Sequence, residues 1–400
     1  MLFKICQLLE KLSYQIYNMK KTNLFVNAFL GILIKMIAVI KGQRIIKKCQ
    51  IKGPAIILSN HTSFYDFIYT IAAIYPRRVN YLAAKKMFYE PRTGFFLRLA
   101  RAIPKSLMQA DPVATLHALR ILKQKGIISI FPEGQISPSG RSLLPAYSTA
   151  KFLRKAKVDV YIVKHMGAGL ANPPWSKKTF RGKIETIKEL IISKEAVKTM
   201  NDQEIYSIMK DKLYYAQSDY NDAKKYTYKL NDISNLENVI YQCPSCLHEG
   251  MTSDKHQLIC PSCHHRLTYD KYGLLNGESI DDLFIKQESR VRESIDQNQN
   301  YQLEGRARLM SFRKNKLVEV GSGVISLKRF EYTYKGTIDD VQSELTFNVS
   351  STPSLPSDIG RNIQIYEKDI IYQFEMDIKW LPTKMVHAGE YLHLLNSKKA

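Results

Sequence analysis

The sequence predicts an α/β domain with a mainly parallel sheet flanked by helices, preceded by an N-terminal helical segment and followed by a small cysteine-rich ribbon and a β-rich C-terminal domain. Short apolar runs alternate with helical stretches from Ala55 to Lys164, which is typical of strands joined by helices. Two CxxC pairs follow, and short strand-like runs punctuated by Pro and Gly begin near Leu303. We therefore divide the 400 residues into five segments: 1–44, 45–200, 201–238, 239–272 and 273–400.

Charge is distributed unevenly between the two halves of the chain. Residues 1–200 hold 34 Lys and Arg against 9 Asp and Glu, whereas residues 201–400 hold 25 against 28. The net charge of +22 therefore arises entirely in the first half. We expect anionic partners for that half, such as phosphate-bearing substrates, an acidic lipid surface or nucleic acid. No cleavable signal peptide is evident, which favours a reducing, cytoplasmic setting.

Two helical patterns open the chain, over Leu2–Tyr17 and Leu24–Ile40. The second is almost wholly apolar, and Asn27, Gly31 and Lys35 form one stripe along it. Its length lies at the lower limit for spanning a bilayer of about 30 Å, and a lysine near its centre is costly there. Insertion in the plane of an anionic cytoplasmic membrane surface is the preferred interpretation, with a single span or a plain buried helix as alternatives.

The elements from Ala55 onward place two candidate groups at strand ends. We predict strands over Ala55–Ser59, Asn80–Ala84, Ile127–Phe131 and Val158–Lys164. We predict helices from about Ser63, over Asp111–Gln124 with Asp111 as N-cap, and over Ala146–Lys155. His61 and Glu133 both lie just past a predicted strand, where sites gather in parallel sheets. We therefore expect these two residues to share a site.

The helices and strands of the C-terminal half are predicted from the same kinds of apolar and polar pattern. Residues 201–232 form a polar helical connector. We predict strands over Gly323–Leu327, Glu344–Val349, Asn362–Tyr366 and Ile370–Phe374, and a terminal helix over Leu381–Leu395.

His61 and Asp66, five positions apart, are equipped to activate a hydroxyl group. An imidazole accepts the hydroxyl proton when a carboxylate holds its other ring nitrogen and stabilises the imidazolium. The spacing, from a loop into a first helical turn, lets Asp66 reach back to His61. The alternatives are a structural His–Asp contact and a covalent role for Ser63, although the chain has no GxSxG elbow.

Asn60-His61-x4-Asp66 together with Phe131-Pro132-Glu133-Gly134 resembles the glycerolipid acyltransferase family, in particular the 1-acyl-glycerol-3-phosphate acyltransferases. The resemblance covers about residues 45–195. It implies that His61 is the general base, that Asp66 orients it, and that the acceptor hydroxyl attacks an acyl thioester directly. It also implies that Glu133 and Gly134 hold the acceptor.

The resemblance is looser for the phosphate-binding residues of the family. Gly94-Phe95-Phe96 with Arg98 or Arg101, followed by Ile103-Pro104-Lys105, is similar to the second family motif. It implies that Arg98, Arg101 and Lys105 attract the acceptor phosphate. Solvated helix faces are the alternative for the two arginines.

The chain departs from the family directly after Gly134. The family commonly continues with Thr-Arg, whereas this chain has Gln135-Ile136. This continuation is more similar to acyltransferase portions that re-acylate lysophosphatidylethanolamine, and either Arg141 or Lys151 is a candidate to compensate for the missing arginine. His165, in the place of the fourth family motif, is expected to be structural rather than catalytic.

Two cysteine knuckles indicate a metal site. Cys243-Pro244-Ser245-Cys246 and Cys260-Pro261-Ser262-Cys263 offer four thiolates, the ligand set of a closed structural zinc site. Iron, disulfides or a redox pair are the alternatives. Because four sulfurs fill the zinc shell, this metal has no open position for catalysis. The ribbon lacks the excess of positive charge that nucleic-acid binding requires, so no nucleic-acid partner is expected.

These observations together predict an enzyme at the cytoplasmic face of a membrane. We expect it to move an acyl chain from acyl-CoA or acyl carrier protein to a lysophospholipid, with no cofactor in the transfer itself. Lysophosphatidic acid, giving phosphatidic acid, is the first candidate acceptor and lysophosphatidylethanolamine the second. A non-catalytic membrane adaptor that recruits a partner through the ribbon is the rival hypothesis.

Overall fold

The structure is a computed structural model that describes residues 20–107, 111–178, 180–313, 316–367 and 370–397. The chain forms two compact units. The first contains residues up to Ile136, Ser142–Ala168 and Arg181–Tyr215, and the second contains Ser137–Arg141, Gly169–Phe180 and the chain from Ala216 onward. The helix predicted over Leu2–Tyr17 lies outside the described residues.

A seven-stranded sheet forms the centre of the first unit. Its strands are β1 Gln43–Lys47, β2 Ala55–Leu58, β3 Asn80–Ala84, β4 Ile103–Lys105, β5 Ile127–Ile130, β6 Asp159–Met166 and β7 Ile184–Ile192. Their order across the sheet is β1-β7-β6-β2-β5-β3-β4, and every neighbouring pair is parallel except β6 with β7. The mainly parallel sheet predicted from the sequence is therefore confirmed.

Helices precede, connect and follow these strands. They are α1 Leu24–Ile40, α2 Asp66–Ile74, α3 Pro91–Leu99, α4 Pro112–Lys123, α5 Tyr147–Ala156, α6 Lys194–Thr199 and α7 Asp202–Leu213. The predicted N-cap of α4 is confirmed, because the Asp111 side chain accepts a hydrogen bond from the amide of Ala114 at 2.9 Å.

The central strand β2 explains why its sequence is apolar at every position. Ile56 and Leu58 belong to one buried cluster, and Ala55 and Ile57 belong to another. The strand is therefore buried on both faces, as strands of a parallel sheet covered by helices are. Its carboxyl end, next to that of β5, is fixed within the core.

The stripe of α1 makes contacts within the first unit, although Lys35 stays exposed. Asn27 donates to the carbonyl of Pro76 at 3.0 Å, the Lys35 ammonium lies 5.8 Å from the centre of the Tyr75 ring, and Gly31 is buried against the same ring. The opposite, apolar face is exposed among the described residues: Leu24, Phe25, Phe29, Ile32, Leu33, Met36, Val39 and Ile40. No helix of the described residues is long and apolar enough to cross a membrane.

The second unit opens with helix α8 Gln217–Lys224. The single polar helix predicted over 201–232 is therefore wrong: α7 ends at Leu213, and the chain from Lys225 to Asn235 is irregular. The break has a physical cause, since Tyr215 and Ala216 between the helices are buried in extended conformation.

A cysteine ribbon and a long helix follow in the second unit. The ribbon region contains β8 Thr252–Ser253, β9 Gln257–Ile259, β10 Arg266–Thr268, β11 Leu274–Leu275 and β12 Glu278–Ser279. Helix α9, Ile280–Gln297, was not predicted. Its N-cap Ser279 accepts a hydrogen bond from the amide of Asp282 at 3.0 Å.

The β-rich C-terminal region is confirmed as a seven-stranded antiparallel sheet. Its strands are β13 Gln302–Arg313, β14 Lys316–Lys328, β15 Glu331–Ile338, β16 Val341–Asn348, β17 Ser357–Asp358, β18 Asn362–Glu367 and β19 Ile370–Met376. They follow the order β16-β15-β14-β13-β19-β18-β17. The terminal helix α10, Leu381–Ser397, packs in one core with α9 and this sheet.

Candidate active site

The loops that follow β2 and β5 leave adjacent strand ends. Leu58 and Ile130 are register partners in the parallel pair, and the amide of Ser59 continues the ladder to the carbonyl of Ile130 at 3.1 Å. The loop after β2 carries His61, and the loop after β5 carries Glu133. The sheet therefore brings the two predicted groups to one edge.

His61 and Asp66 meet as their spacing predicts. The distance from His61 Nδ1 to Asp66 Oδ2 is 3.1 Å, and the side chains are 18% and 0% exposed. Because a carboxylate only accepts hydrogen bonds, this contact assigns the proton to Nδ1 and leaves the lone pair on Nε2. The imidazole is thus held in the tautomer that accepts a proton.

The Asp66 carboxylate is itself fixed by the loop that it closes. The amides of Thr62 and Ser63 donate to Oδ2 at 2.7 and 2.8 Å. Oδ1 is buried and has no hydrogen-bond partner among the described residues. All orienting contacts therefore converge on the oxygen that faces the imidazole.

Glu133 connects the two loops through backbone donors. Its Oε1 accepts from the amide of His61 at 3.0 Å, and its Oε2 accepts from the amide of Leu143 at 2.9 Å. Burial raises the pKa of Glu133 to about 8, although the two amide donors lower it. Gly134 completes the turn with a φ of +77°, a conformation that glycine adopts at little cost.

Two contributors were missed by the sequence reasoning. The ring of Phe131 stacks on the imidazole of His61, with the ring centres 4.3 Å apart. The amide of Leu143 supports Glu133 from ten residues further along the chain. Phe131 was quoted within the predicted motif, but neither its packing nor the backbone contact leaves a signal in the sequence.

The three basic residues expected to attract phosphate make contacts with backbone carbonyls. Arg98 donates from Nη1 to Phe88 at 2.8 Å, and Arg101 donates from Nη1 to Lys21 at 2.7 Å. Lys105 donates to its neighbour at 3.2 Å, and burial lowers its pKa. No contact between these three side chains and His61 or Glu133 is found within the described residues.

The two residues considered as replacements for the missing arginine also make contacts with other side chains. Arg141 Nε donates to Asp281 Oδ2 at 2.6 Å within the second unit, where Ser139 donates to the other oxygen of the same carboxylate at 3.1 Å. In the first unit, the Lys151 ammonium lies 5.4 Å from the centre of the Tyr147 ring.

The four cysteines of the second unit form one cluster whose Sγ atoms all lie within 4.8 Å of one another. The Sγ atoms of Cys243 and Cys263 are 3.7 Å apart, and those of Cys246 and Cys260 are 3.6 Å apart. A tetrahedral site with zinc–sulfur bonds of about 2.3 Å places its sulfurs about 3.8 Å apart. The donor set and its spacing therefore fit a tetrahedral metal ion.

A histidine held by a carboxylate can accept the proton of a hydroxyl group, and here the pair lies at the carboxyl end of a parallel sheet. Residues 36–165 match the family model described as Acyltransferase. This match contains both loops of the site. This part of the first unit is therefore similar to the acyltransferase domain that the family model describes.

Parts of the chain are also similar to two named proteins. A 1-acyl-sn-glycerol-3-phosphate acyltransferase of Bacillus subtilis (strain 168) is 29% identical over 79 residues, which cover 20% of this chain. The chain spans 40% of the length of that relative. The crystal structure of the 1-acyl-sn-glycerophosphate (LPA) acyltransferase PlsC from Thermotoga maritima aligns with a TM-score of 0.40 and 16% identity over 54% of this chain and 88% of that chain.

Proposed function

We propose that this protein transfers a fatty acyl chain from an acyl thioester, acyl-CoA or acyl carrier protein, to the free hydroxyl of a lysophospholipid. The preferred acceptor is 1-acyl-glycerol-3-phosphate, which gives phosphatidic acid. The observation that carries the proposal is the contact of 3.1 Å between His61 Nδ1 and Asp66 Oδ2 beside the Glu133 loop. The family match over residues 36–165 and the name of the curated relative support it.

The proposed reaction is direct transfer between oxygen and sulfur. His61 Nε2 takes the proton of the acceptor hydroxyl while its oxygen attacks the thioester carbonyl carbon. The new C–O bond forms, the C–S bond breaks, and the proton on Nε2 passes to the departing thiolate. Asp66 stabilises the imidazolium between these two proton transfers. No cofactor takes part.

The acceptor is proposed to bind beside Glu133 and Gly134, with its phosphate attracted by Arg98, Arg101 and Lys105. A guanidinium carries five N–H donors, so the backbone contacts of Arg98 and Arg101 leave donors for a phosphate. The positive charge of residues 1–200 supports an anionic acceptor.

The protein is proposed to lie at the cytoplasmic face of the membrane through the exposed face of α1. Phe25 and Phe29 on this face are 83% and 75% exposed. Phe64 and Phe67, next to the His61–Asp66 pair, are exposed as well. A helix with an outward apolar face and flanking basic residues suits in-plane insertion into an anionic leaflet.

The cysteine cluster is proposed to hold structural zinc. Each knuckle closes in the same way, since the amides of Leu247 and His264 donate to the carbonyls of Cys243 and Cys260, both at 3.0 Å. Four cysteine sulfurs complete the coordination of the ion, so it stabilises the fold of the second unit and takes no part in acyl transfer.

The deciding experiment offers the purified chain, in bilayer discs, a panel of lyso-acceptors with acyl-CoA and with acyl carrier protein. The wild type is expected to acylate 1-acyl-glycerol-3-phosphate, and His61→Ala should lower kcat by roughly 10²–10⁴-fold. His256→Ala, an exposed histidine of the ribbon region, is the control and should keep wild-type activity.

Three other outcomes would each contradict one part of the proposal: the acceptor, the mechanism or the enzymatic activity itself. Acylation of lysophosphatidylethanolamine alone would overturn the acceptor but not the reaction. Activity in His61→Ala would overturn the mechanism. If no acceptor is acylated and no thioester is consumed, the adaptor hypothesis replaces the enzyme.

A further inference from the structure

A second histidine of the first unit, His165 on β6, lies in a chain of hydrogen bonds that ends at Asp66. Its side chain is fully buried. His165 Nε2 lies 2.8 Å from the hydroxyl of Thr70, and Nδ1 lies 3.0 Å from the hydroxyl of Thr186. The Thr70 hydroxyl donates to the backbone carbonyl of Asp66 at 2.9 Å. The ring of His165 is therefore connected, through one hydroxyl, to the residue that orients His61.

These hydrogen bonds agree with one tautomer of His165. When Thr70 donates its single hydroxyl proton to the carbonyl of Asp66, it accepts from His165, and Nε2 carries the hydrogen. Nδ1 is then the acceptor and takes the proton of Thr186, whose oxygen accepts from Gln43 Nε2 at 2.9 Å. Burial lowers the pKa of His165 to about 4, which agrees with a neutral ring.

The backbone of His165 holds the other partner of the pair. The amide of His165 donates to Asn60 Oδ1 at 2.8 Å, and Asn60 Nδ2 donates back to the carbonyl of His165 at 2.9 Å. Asn60 directly precedes His61 and lies just beyond Leu58, where the pairing of β2 with β6 ends. This reciprocal pair extends the connection between the two strands up to the candidate base.

We propose that His165 is a positioning residue for the His61–Asp66 pair, acting as a neutral ring that donates from Nε2 to Thr70. Its backbone anchors the chain beside His61, while its side chain anchors the end of α2 that carries Asp66. Neither contact touches a substrate. The inference rests on the proposed function, since it assigns His165 to the same transfer reaction.

Three variants separate this role from simple packing. His165→Gln places an amide donor where Nε2 lies, whereas His165→Asn reaches only the position of Nδ1 and leaves Thr70 without its donor. Thr70→Val removes the hydroxyl at nearly constant size. We expect His165→Asn and Thr70→Val each to lower kcat by about 10- to 100-fold with little change in KM, because displacement of a base by about 1 Å has effects of this size.

Recovery of kcat by a conservative variant, and the effect of a double variant, complete the test. His165→Gln should recover most of the kcat lost in His165→Asn, and the double variant His165→Asn/Thr70→Val should be no worse than either single one. The control is His117→Asn, a buried histidine of α4 in the same unit, which should leave kcat unchanged.

A readout that does not use activity keeps this inference distinct from the proposed function. In protein labelled with ¹⁵N-histidine, the His165 ring should show a proton on Nε2, and the ring signals of His61 should shift in Thr70→Val and His165→Asn. If those shifts occur in a chain that acylates no acceptor, the proposed function fails and the positioning role stands. Unchanged His61 signals with unchanged kcat, alongside lower thermal stability, would overturn the positioning role.

Discussion

Replacing Asp66 with Asn tests the proton-accepting pair while keeping the shape of the side chain. In the structure, Oδ2 accepts from His61 Nδ1 and from the amides of Thr62 and Ser63. An asparagine oxygen placed there accepts the same three bonds, so the tautomer of His61 is preserved. The amide nitrogen then occupies the position of Oδ1, which is buried and has no partner among the described residues.

The expected loss of rate follows from the charge that disappears. An imidazolium and a carboxylate with charge centres about 4 Å apart attract by about 4 kcal/mol at an effective dielectric constant near 20. The neutral hydrogen bond that replaces this attraction contributes about 1 kcal/mol. The difference of about 3 kcal/mol corresponds to a decrease in kcat of roughly 100-fold.

The buried amide nitrogen adds a separate cost to folding. An unsatisfied buried donor costs about 1–3 kcal/mol, so the thermal midpoint of the variant should fall as well. The rate is therefore measured per folded molecule, by following thiol release from acyl-CoA with 1-acyl-glycerol-3-phosphate as acceptor. Asp222→Asn, on the exposed surface of α8, is the control for the same chemical change.

Two results would refute this reasoning. An unchanged kcat in Asp66→Asn would show that the pair has no part in proton transfer. A loss near 10⁴-fold would show that the tautomer of His61 reverses, as in a catalytic triad whose orienting aspartate is replaced. In that case the three converging hydrogen bonds do not fix the amide as we propose.

The remaining predictions concern pH, metal and membrane. Because the pKa of Glu133 is raised to about 8 on folding, the folded state binds the extra proton, and the contribution of Glu133 to stability should fall between about pH 4.5 and 8, at up to about 1.4 kcal/mol per pH unit; the difference between wild type and Glu133→Gln in unfolding midpoints across this range should show that contribution. Purified protein should contain one zinc ion per chain by elemental analysis, and Cys246→Ser should lose it while Cys49→Ser, outside the cluster, keeps it; bound iron would contradict the zinc assignment. Phe29→Ser should weaken sedimentation with anionic vesicles, whereas Phe330→Ser, also exposed, should leave it unchanged.

The sequence predicted those strands and helices in which the residue types themselves indicate burial or a helix start. The continuous apolar run of β2 indicates burial on both faces, and Asp111 directly before Pro112 marks the start of α4. Helix α9 was missed because polar and charged residues together make up most of its composition. Ser279 could have indicated the start of that helix, because serine is a common N-cap residue and its hydroxyl caps the helix in the structure.

The contact between His61 and Asp66 was predictable because both residues lie in one short segment. The network around His165 was not predictable, since Thr70 and Thr186 are 95 and 21 positions away from it in the chain. The contacts of the α1 stripe were not predictable either, because their partners lie far along the chain. Asn27 donates to the carbonyl of Pro76, and the Lys35 ammonium lies beside the Tyr75 ring.

Under the proposed function, the acceptor would be selected by charged groups that make no described contact with the base. Gln135 follows Gly134, Arg141 is paired with Asp281, and Arg98 and Arg101 each give one donor to a backbone carbonyl. An acceptor phosphate would therefore be drawn in by the summed positive charge of residues 1–200 and held by the remaining guanidinium donors.

Attraction of this kind is screened by salt, because the screening length falls from about 30 Å at 0.01 M to about 10 Å at 0.1 M. The KM for 1-acyl-glycerol-3-phosphate should consequently rise between these salt concentrations, while the KM for zwitterionic lysophosphatidylethanolamine should change little. Both are measured in uncharged bilayer discs, so that the membrane itself contributes no screening effect. If the KM for the anionic acceptor does not depend on salt, its phosphate is held by a close, desolvated contact and is not drawn in by long-range attraction.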